Sequence, residues 1–498
     1  MKPVVRKHIA SRRAAAGALT LAAGAASAAD PHGWLETDIV RTPSTEFQFK
    51  GGYPAPETSR KLKDVLVTNR AVELYLSQMP TVSWYHVWKG VGSAETGAPG
   101  QLVIWESLMD AQTLLLTGNS ETVYGMAAID LKRDGPTVIE VPPMLLGGVS
   151  DLQQKEVVGI GPTGADHGKG GKVLLLPPDY AGKVPKGYIA AKARTYKLVF
   201  GVRGFLVDGK TEQATALMKQ ARIYPLARAA NAPPMVFVNG SGKQIDTIFP
   251  DTAQYFHDLN DIVQSEPIGI FSSQERFYLA SIGIEKGKPF SPDKDREALY
   301  AEAGRLGGAI ARDISYASDD PERIVYPDRR WEWLFIGGSA TWDSQGYVNT
   351  DRRSAFSYGA IGMSPAMVAK VVGQGSQYLW TTRASNGSHL EGGKNYRLRI
   401  PANVPVKNFW SLVVYDAQSR SMLRNEQRFP TVSQYTGPAR NADGSVDIYF
   451  GPRAPHGKER NWVQTVEGKG WFPLLRFYGP LQPFFDKSWK PGDIEETR

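Results

Sequence analysis

The feature that most constrains this chain is the alternation of apolar and polar residues in its last third, residues 392–486. In residues 394–400 and 445–450 every second side chain is apolar, and residues 410–415 continue in the same strand-forming chemistry. The alternating apolar residues are Tyr396, Leu398, Ile400, Val446, Ile448 and Phe450. Because successive side chains of a strand point to opposite faces, this pattern predicts antiparallel sheets with one buried face. Gly, Pro and Asn turns between the runs favour a β-sandwich.

Length and composition limit the alternatives. A chain of 498 residues is too long for one ordinary core, so we expect two or three domains. Its apolar fraction of 42% and charged fraction of 22% are typical of a globular protein. The absence of cysteine excludes disulfides, thiolate metal sites and cysteine nucleophiles.

The N-terminus has the pattern of a signal peptide over residues 1–28. Five basic residues precede a short apolar stretch, residues 14–25, and Ala26-Ser27-Ala28 fits a cleavage site. We therefore expect a periplasmic or secreted bacterial protein whose mature chain begins near Ala29. The pair Arg12-Arg13 leaves the twin-arginine export route open as an alternative to the general one.

Removing that segment changes the charge argument. The full chain carries a net charge of +8, and cleavage removes five basic and no acidic residues, leaving 8 − 5 = +3. No stripe of Lys and Arg with interleaved aromatic residues is present. The sequence therefore argues against a nucleic-acid partner. It also predicts no transmembrane segment, since the apolar stretch is too short to span a bilayer. It leaves the oligomeric state open, a homo-oligomer being one alternative.

Along the mature chain, the patterns predict an α+β protein. An irregular lead-in, residues 29–60, precedes a mixed α/β domain at 61–226, which opens with a helix over 62–78 closed by Met79-Pro80. Residues 227–345 are predicted to be a linker and a helical connector, and residues 346–498 an antiparallel β-sandwich. The connector contains helical patterns over 252–264, 272–282 and 293–317. In the last of these, Leu299, Ala303 and Leu306 are predicted to face the core.

Several stretches resemble known families. Residues 119–124, which read Asn-Ser-Glu-Thr-Val-Tyr, resemble the Asn-x-Asp-Thr-x-Tyr box of the domain called DUF1254, as does the Gly-Lys-Gly-Gly-Lys stretch at 168–172. In the C-terminal part, residues 392–396, 415–422 and 461–471 resemble the partner domain DUF1214. This resemblance implies a secreted or periplasmic protein whose C-terminal half is a jelly-roll-like sandwich. Glu121 stands where the family usually has Asp, so its carboxylate lies one methylene further out.

The first candidate site is this box, with Asn119, Glu121 and Tyr124 as catalytic candidates and Thr122 as a ligand contact. A carboxylate beside a phenol and an amide could transfer protons, orient a water or hold a polar ligand. A divalent cation near Glu121 is a third interpretation, although no histidines lie at metal-ligand spacing and no other cofactor is implied. The alternative is an ordinary turn in which Asn119 and Glu121 bond to backbone groups.

A second candidate site comprises Tyr415, Asp416 and Arg420, which could form a charged pocket at the rim of the sandwich. Arg476, embedded in an apolar stretch, could grip a carboxylate or sulfate group of a ligand. The alternative is an ordinary surface ion pair.

Two functional hypotheses follow. In the first, the protein is a hydrolase-like enzyme without cysteine, zinc or nucleotide cofactor that acts on a small polar or aromatic compound in a cleft between its domains. In the second, it is a non-catalytic envelope protein that binds a carbohydrate or a partner. Convergence of Glu121, Tyr124 and Arg476 on one concave site would favour the enzyme.

Overall fold

The computed structural model describes residues 38–43, 45–94 and 100–497, so the predicted signal peptide lies outside the described residues. The fold is α+β, 28% helical and 29% strand, with open sheets, which confirms the predicted class. None of the described helices combines the length and hydropathy needed to cross a bilayer. The chain divides into two units, residues 1–65 and 66–498, which are described separately.

In the first unit, part of the predicted irregular lead-in forms a small antiparallel sheet. Its strands are joined by tight turns, and a long helix follows that continues into the second unit. These elements are β1 (Ile39–Arg41), β2 (Glu46–Lys50), β3 (Tyr53–Pro54) and α1 (Pro56–Ala94).

The second unit begins, after α1, with a sandwich of two sheets. Its elements are β4 (Gln101–Ile104), β5 (Thr113–Leu114), β6 (Thr122–Asp130), α2 (Leu131–Asp134), β7 (Thr137–Val141), β8 (Leu146–Asp151), β9 (Glu156–Ile160), β10 (Gly171–Leu176), β11 (Ile189–Lys192), β12 (Lys197–Phe205), α3 (Glu212–Met218), β13 (Arg222–Pro225), β14 (Val236–Asn239) and β15 (Ile245–Asp246).

Sheet I has the order β14-β4-β6-β12-β8-β9, and sheet II the order β11-β10-β7-β13. Alternate residues of β6 and β12 point into the core between them, among them Val123, Phe200 and Val202. We call this pair the first sandwich. Strand β14, within the predicted linker, extends sheet I by pairing in parallel with β4.

A helical segment follows, in which the three predicted helices occur within two residues of their predicted bounds. Its elements are α4 (Gln254–Ser265), α5 (Ser273–Ser281), α6 (Lys294–Tyr316), β16 (Glu332–Trp333), β17 (Asp343–Ser344), β18 (Tyr347–Val348) and α7 (Thr350–Gly359). Short 3-10 helices within the described chain cover Leu226–Asn231, Ile268–Ile270, Pro321–Arg323, Ile336–Gly338, Pro365–Met367 and Glu459–Asn461.

The C-terminal region forms a second sandwich. Its elements are β19 (Ser376–Trp380), β20 (Asn395–Ile400), β21 (Val406–Asp416), β22 (Thr431–Ser433), β23 (Val446–Gly451), β24 (Trp462–Gln464), β25 (Trp471–Pro480), α8 (Gln482–Phe485) and β26 (Ile494–Thr497). Sheet III has the order β16-β19-β25-β21-β22, and sheet IV the order β24-β23-β20-β26. The alternating apolar residues of β20 and β23 are buried between these sheets, as the sequence predicts.

The predicted end of the first helix at Met79-Pro80 is wrong, since α1 continues through Pro80. Proline has no N–H to donate to the carbonyl four residues earlier, that of Leu76. In this fold the hydroxyl of Ser354, in α7, donates to the Leu76 carbonyl at 2.9 Å, and Nη2 of Arg353 donates to the next carbonyl, that of Ser77. Because another helix satisfies these carbonyls, the proline does not end α1.

The predicted apolar face of α6 is also partly wrong. Leu306 is 45% exposed, whereas Ala303, Gly304, Gly307 and Gly308 are buried. The glycines let α6 approach Tyr75 of α1 and the backbone at Asp251 closely. A helix face made of glycine carries little hydrophobic signal in the sequence, so the periodicity found Ala303 on the buried face but missed the glycines and wrongly included Leu306.

We expect Gly307→Ala to lower the free energy of unfolding by about 1–3 kcal/mol, although alanine is the better helix former. A methyl group there would lie 2.6 Å from Cδ1 of the buried Tyr75. Gly269→Ala is the matched control, because its methyl group meets no atom within 4 Å. Urea unfolding of both variants measures the difference, and equal effects would contradict close packing at α6.

Candidate functional site

Five of the eight predicted site residues, Asn119, Glu121, Tyr124, Tyr415 and Arg476, meet where the outer faces of sheets I and III oppose each other. On sheet I, Tyr124 of β6 lies directly opposite Arg203 of β12. On sheet III, Arg476 of β25 lies between Tyr378 of β19 and Ser411 of β21. Directly paired residues project to the same face of a sheet, so each row forms one polar patch. We define the inter-sandwich cluster as Asn119, Glu121, Tyr124, Arg203, Tyr378, Ser411, Tyr415, Arg476 and Tyr478.

Asn119 joins the two sandwiches. Its Nδ2 donates to the hydroxyl of Tyr478 at 2.7 Å and makes a longer contact, 3.4 Å, with Oγ1 of Thr122. Its Oδ1 accepts the backbone N–H of Glu121 at 3.0 Å. Asn119 therefore stabilises a local turn, as the structural alternative predicts, and it also contacts the opposite sheet.

Glu121 is buried, with 3% exposure, in the turn before β6. Its Oε1 accepts hydrogen bonds from the hydroxyls of Thr431 at 2.8 Å and Ser120 at 3.2 Å. Burial raises the pKa of the Glu121 carboxyl, and the hydroxyls of Ser433, Thr431 and Ser120 together with the Arg476 charge offset only part of that rise. The carboxyl therefore holds a proton to higher pH than an exposed glutamate does.

We expect Glu121→Gln to stabilise the protein relative to wild type increasingly as pH rises above 4.5, the ordinary glutamate pKa. A carboxyl whose folded pKa is raised stabilises the fold below its unfolded pKa, and this contribution is lost as pH rises through the folded pKa. Urea unfolding across a pH series measures the difference between the two proteins. Glu467→Gln, which removes an exposed carboxylate, is the control. A difference that shrinks as pH rises would contradict burial of an uncompensated acid.

Arg476 is the buried cation of the cluster, with 4% exposure. Its Nη2 donates to the Thr117 carbonyl at 2.7 Å, and the guanidinium lies 5.6 Å from the centre of the Tyr415 ring. Its Nη1 is buried and has no hydrogen-bond partner among the described residues, and the same holds for the hydroxyl of its neighbour Ser411. Buried polar atoms are normally paired, so two adjacent ones without partners indicate room for a ligand group.

Arg203 adds a second cation. Its Nη2 donates to the Ser376 hydroxyl at 3.1 Å, and its guanidinium lies 5.3 Å from the Tyr478 ring centre. Burial alone would raise the pKa of the Tyr124 phenol, but Arg203 and Arg476 outweigh burial and hold that pKa below its usual range. Burial disfavours the charged form of Arg203, yet the neighbouring tyrosines raise its pKa. Both guanidinium groups therefore remain charged at every pH of interest.

The cluster has a net positive charge and open space beside it. The cluster contains two guanidinium groups and one carboxyl whose pKa is raised, so it carries net positive charge and favours an anion. Gly201 lies on the same face of β12 as Arg203, and a Cβ atom added to it would meet no atom within 4 Å. Open space therefore adjoins the cationic residues.

Asp416 and Arg420 do not join the cluster. Asp416 follows Tyr415 on β21 and projects to the opposite face, where its carboxylate pairs with Lys469 and accepts the N–H of Gln418 at 2.7 Å. Arg420 stacks on Tyr358, 4.4 Å from the ring centre, and donates to the Tyr358 carbonyl at 3.0 Å. These side chains stabilise the turn after β21 and its contact with α7. Tyr415 lies in the cluster without them, so the three residues do not form the single charged pocket that was predicted.

Sequence reasoning missed Arg203, Tyr378 and Ser411 of the cluster. Arg203 is the one charged residue in residues 198–205, an otherwise apolar strand, which was an available signal. Tyr378 carried no such signal. A divalent cation at Glu121 would meet one carboxylate and a guanidinium charge, a poor set of ligands for a hard cation. Among the residues that the structure describes, no group of three or more His, Asp or Glu could hold a metal.

These features define a class: an α+β protein with two sandwiches whose facing sheets enclose a cationic cluster rich in tyrosine. Residues 99–225 match the family model described as Protein of unknown function (DUF1254), and residues 375–482 match Protein of unknown function (DUF1214). The chain is a DUF1254/DUF1214 protein, as its motifs predicted. Both matched segments contribute to the inter-sandwich cluster.

One solved structure supports the architecture. The VPA0106 protein from Vibrio parahaemolyticus is similar with a TM-score of 0.52 and 18% identity, covering 87% of this chain and 100% of its own. An uncharacterized protein from Burkholderia cenocepacia has a TM-score of 0.39 and 12% identity, with coverage of 89% and 97%. The first supports the fold alone. No curated protein matches this sequence.

Proposed function

We propose that this protein is a periplasmic or secreted enzyme that hydrolyses a small anionic compound, polar or aromatic, at the inter-sandwich cluster. One observation carries the proposal: the buried Nη1 of Arg476 has no acceptor among the described residues, and it belongs to a cluster that also holds a buried acid, Glu121. A guanidinium with a free donor binds carboxylate, sulfate or phosphate strongly. A protonated carboxyl can act as a general acid.

The residues take distinct roles in this proposal. Arg476 and Arg203 bind the anionic group and hold it against the outer face of sheet I. Asn119 positions Tyr478 through their 2.7 Å hydrogen bond. Tyr415, whose hydroxyl donates to the Gly118 carbonyl at 2.5 Å, positions the turn that carries Glu121.

Hydrolysis then needs two proton transfers. In this proposal Tyr124 starts as the phenolate that the Arg203 and Arg476 charges favour, and it accepts a proton from water as the water oxygen bonds to the carbonyl carbon of the substrate. Glu121 donates its proton to the leaving oxygen or nitrogen as that bond breaks. The Tyr124 proton returns to Glu121 through water, so charge and atoms balance over the cycle.

A second candidate is a non-catalytic envelope protein that binds a carbohydrate or a partner. It is favoured by the contacts that Glu121 and Asn119 already make, since each is hydrogen-bonded to protein groups in the way a structural residue would be. The two candidates differ in turnover.

The test uses purified mature protein and a panel of esters and amides, each in a carboxylated and an uncharged form. The enzyme hypothesis expects turnover of a carboxylated substrate, and a loss of about 100-fold in kcat for Glu121→Gln, as is typical when a general acid is removed. Glu467→Gln, at an exposed position, serves as the control. Thermal stabilisation by a ligand without turnover would favour the second candidate. Turnover unchanged by Glu121→Gln would overturn the roles assigned here.

A further inference from the structure

A second pocket opens at one end of the second sandwich, away from the cluster. Its cavity has a volume of about 300 Å³ and lies where β20 ends, β21 begins and the loop after β22 passes over the edge. We call it the sandwich-end pocket. Its lining includes Asn403, Lys407, Asn408, Trp410, Gln434 and Arg440.

The sandwich-end pocket and the inter-sandwich cluster use opposite faces of β21. Phe409 stacks on Tyr478 of the cluster, with ring centres 4.1 Å apart. The next residue, Trp410, points the other way into the core between sheets III and IV and is the buried part of the pocket lining, with 5% exposure. A ligand in the pocket would therefore not occupy the cluster.

The charged residues that line the sandwich-end pocket are all basic. It contains two cations, Lys407 and Arg440, and no acidic residue. Neither cation has an ion-pair partner in the described part of the chain, although both arginines on the strands of sheet IV, Arg397 and Arg399, are paired with carboxylates. Two exposed cations left unpaired at one cavity make it attractive to an anionic group.

Amide groups complete the lining. The side chains of Asn403, Asn408 and Gln434 make no hydrogen bond to any residue that the structure describes. An amide both donates and accepts, which suits vicinal hydroxyl groups. A cavity of about 300 Å³ lies at the small end of ligand sites.

We propose that the sandwich-end pocket binds an acidic sugar, a pyranose ring that bears a carboxylate, with Lys407 and Arg440 on the carboxylate and the three amides on the ring hydroxyls. Trp410 is buried, so its indole forms the base of the pocket and does not offer an open face for ring stacking. This assignment does not depend on what the inter-sandwich cluster does.

The proposal is tested by calorimetric titration of the mature protein with three probes: glucuronate, glucose and inorganic sulfate. Glucuronate is expected to bind at least about tenfold more tightly than either glucose or sulfate, because each of those lacks one half of the recognised chemistry. Raising the ionic strength is expected to weaken the binding. Equal affinity for sulfate would reduce the pocket to a simple anion site and overturn the sugar assignment, and no saturable binding of glucuronate would overturn the proposal altogether.

Substitutions of the lining residues test whether glucuronate binds in the sandwich-end pocket. Lys407→Met and Arg440→Gln are each expected to weaken glucuronate binding at least about tenfold, and Asn408→Ala to weaken it less. Lys243→Met, which removes an exposed lysine outside the pocket, is the matched control. All these positions are exposed, so thermal unfolding should show that each variant folds. Binding that is unaffected by both cation variants would place the sugar elsewhere and contradict the assignment.

Discussion

Replacing Arg476 with methionine is expected to weaken the binding of a small anion, such as benzoate, by about 100-fold or more, while changing the free energy of unfolding by no more than about 2 kcal/mol. The loss of affinity follows from removing charge-assisted hydrogen bonds, each worth about 1.5–3 kcal/mol. The small change in stability has two opposing causes. The Thr117 carbonyl loses its donor, but a buried cation without a directly bonded carboxylate, which is costly to desolvate, is also removed.

Arg476→Lys separates charge from geometry. A lysine keeps the charge but cannot reach the Thr117 carbonyl and a ligand in the forked geometry of a guanidinium, so we expect it to restore little binding. Arg399→Met is the control, because Arg399 forms an exposed ion pair with Asp443 and should contribute little to either quantity. Titration calorimetry and urea unfolding measure the two effects. If Arg476→Met lowers the free energy of unfolding strongly but the folded fraction still binds the anion as wild type does, Arg476 is a structural residue and does not bind the ligand.

Trp471→Ala is expected to produce the largest loss of stability, about 3–5 kcal/mol, because it empties the centre of the second sandwich. Trp471 of sheet III is 1% exposed. Its ring packs against Phe450 and Tyr396 of sheet IV, with centres 4.7 Å and 5.6 Å apart. Removing the indole ring removes these aromatic contacts between sheets III and IV and leaves a cavity.

Trp471→Phe gives the sharper comparison. The indole Nε1 has no hydrogen-bond partner among the described residues, so phenylalanine keeps most of the packing and loses no hydrogen bond. We expect it to cost less than half as much as alanine. Tyr347→Ala removes an aromatic ring that is 56% exposed and should change stability little. Urea unfolding of the three variants checks the order, and equal losses for Phe and Ala would mean that the polar atom, rather than ring packing, stabilises this core.

How far the sequence predicted the fold can be judged from particular elements. The alternation at Tyr396, Leu398 and Ile400 allowed one register only, since a slip by one residue would turn all three to solvent. Helix α4 was predicted for a similar reason, from a pattern that repeats every turn. Pro80 and Gly307 show the limit. In both cases the decisive partner, Ser354 or Tyr75, lies far away in the chain.

The candidate site shows the same division. Asn119, Glu121 and Tyr124 were found because they form one local motif, and Arg476 because a charge stood in an apolar strand. Asp416 was grouped with Tyr415 by proximity in the chain, but neighbouring residues of a strand point to opposite faces, and only Tyr415 reaches the cluster. Arg203 joined the site through its pairing with Tyr124 across sheet I.

The amino-acid sequence alone determined the family, the α+β class and the strands of the second sandwich, because period-two alternation and family motifs are local properties of the chain. Only the tertiary structure decided that the outer faces of sheets I and III meet, that Arg203 and Arg476 share one site there, and that Asp416 and Arg420 lie outside it. The physical reason is that burial, pKa and free hydrogen-bonding capacity depend on neighbours that packing brings together, and no spacing along the chain records them.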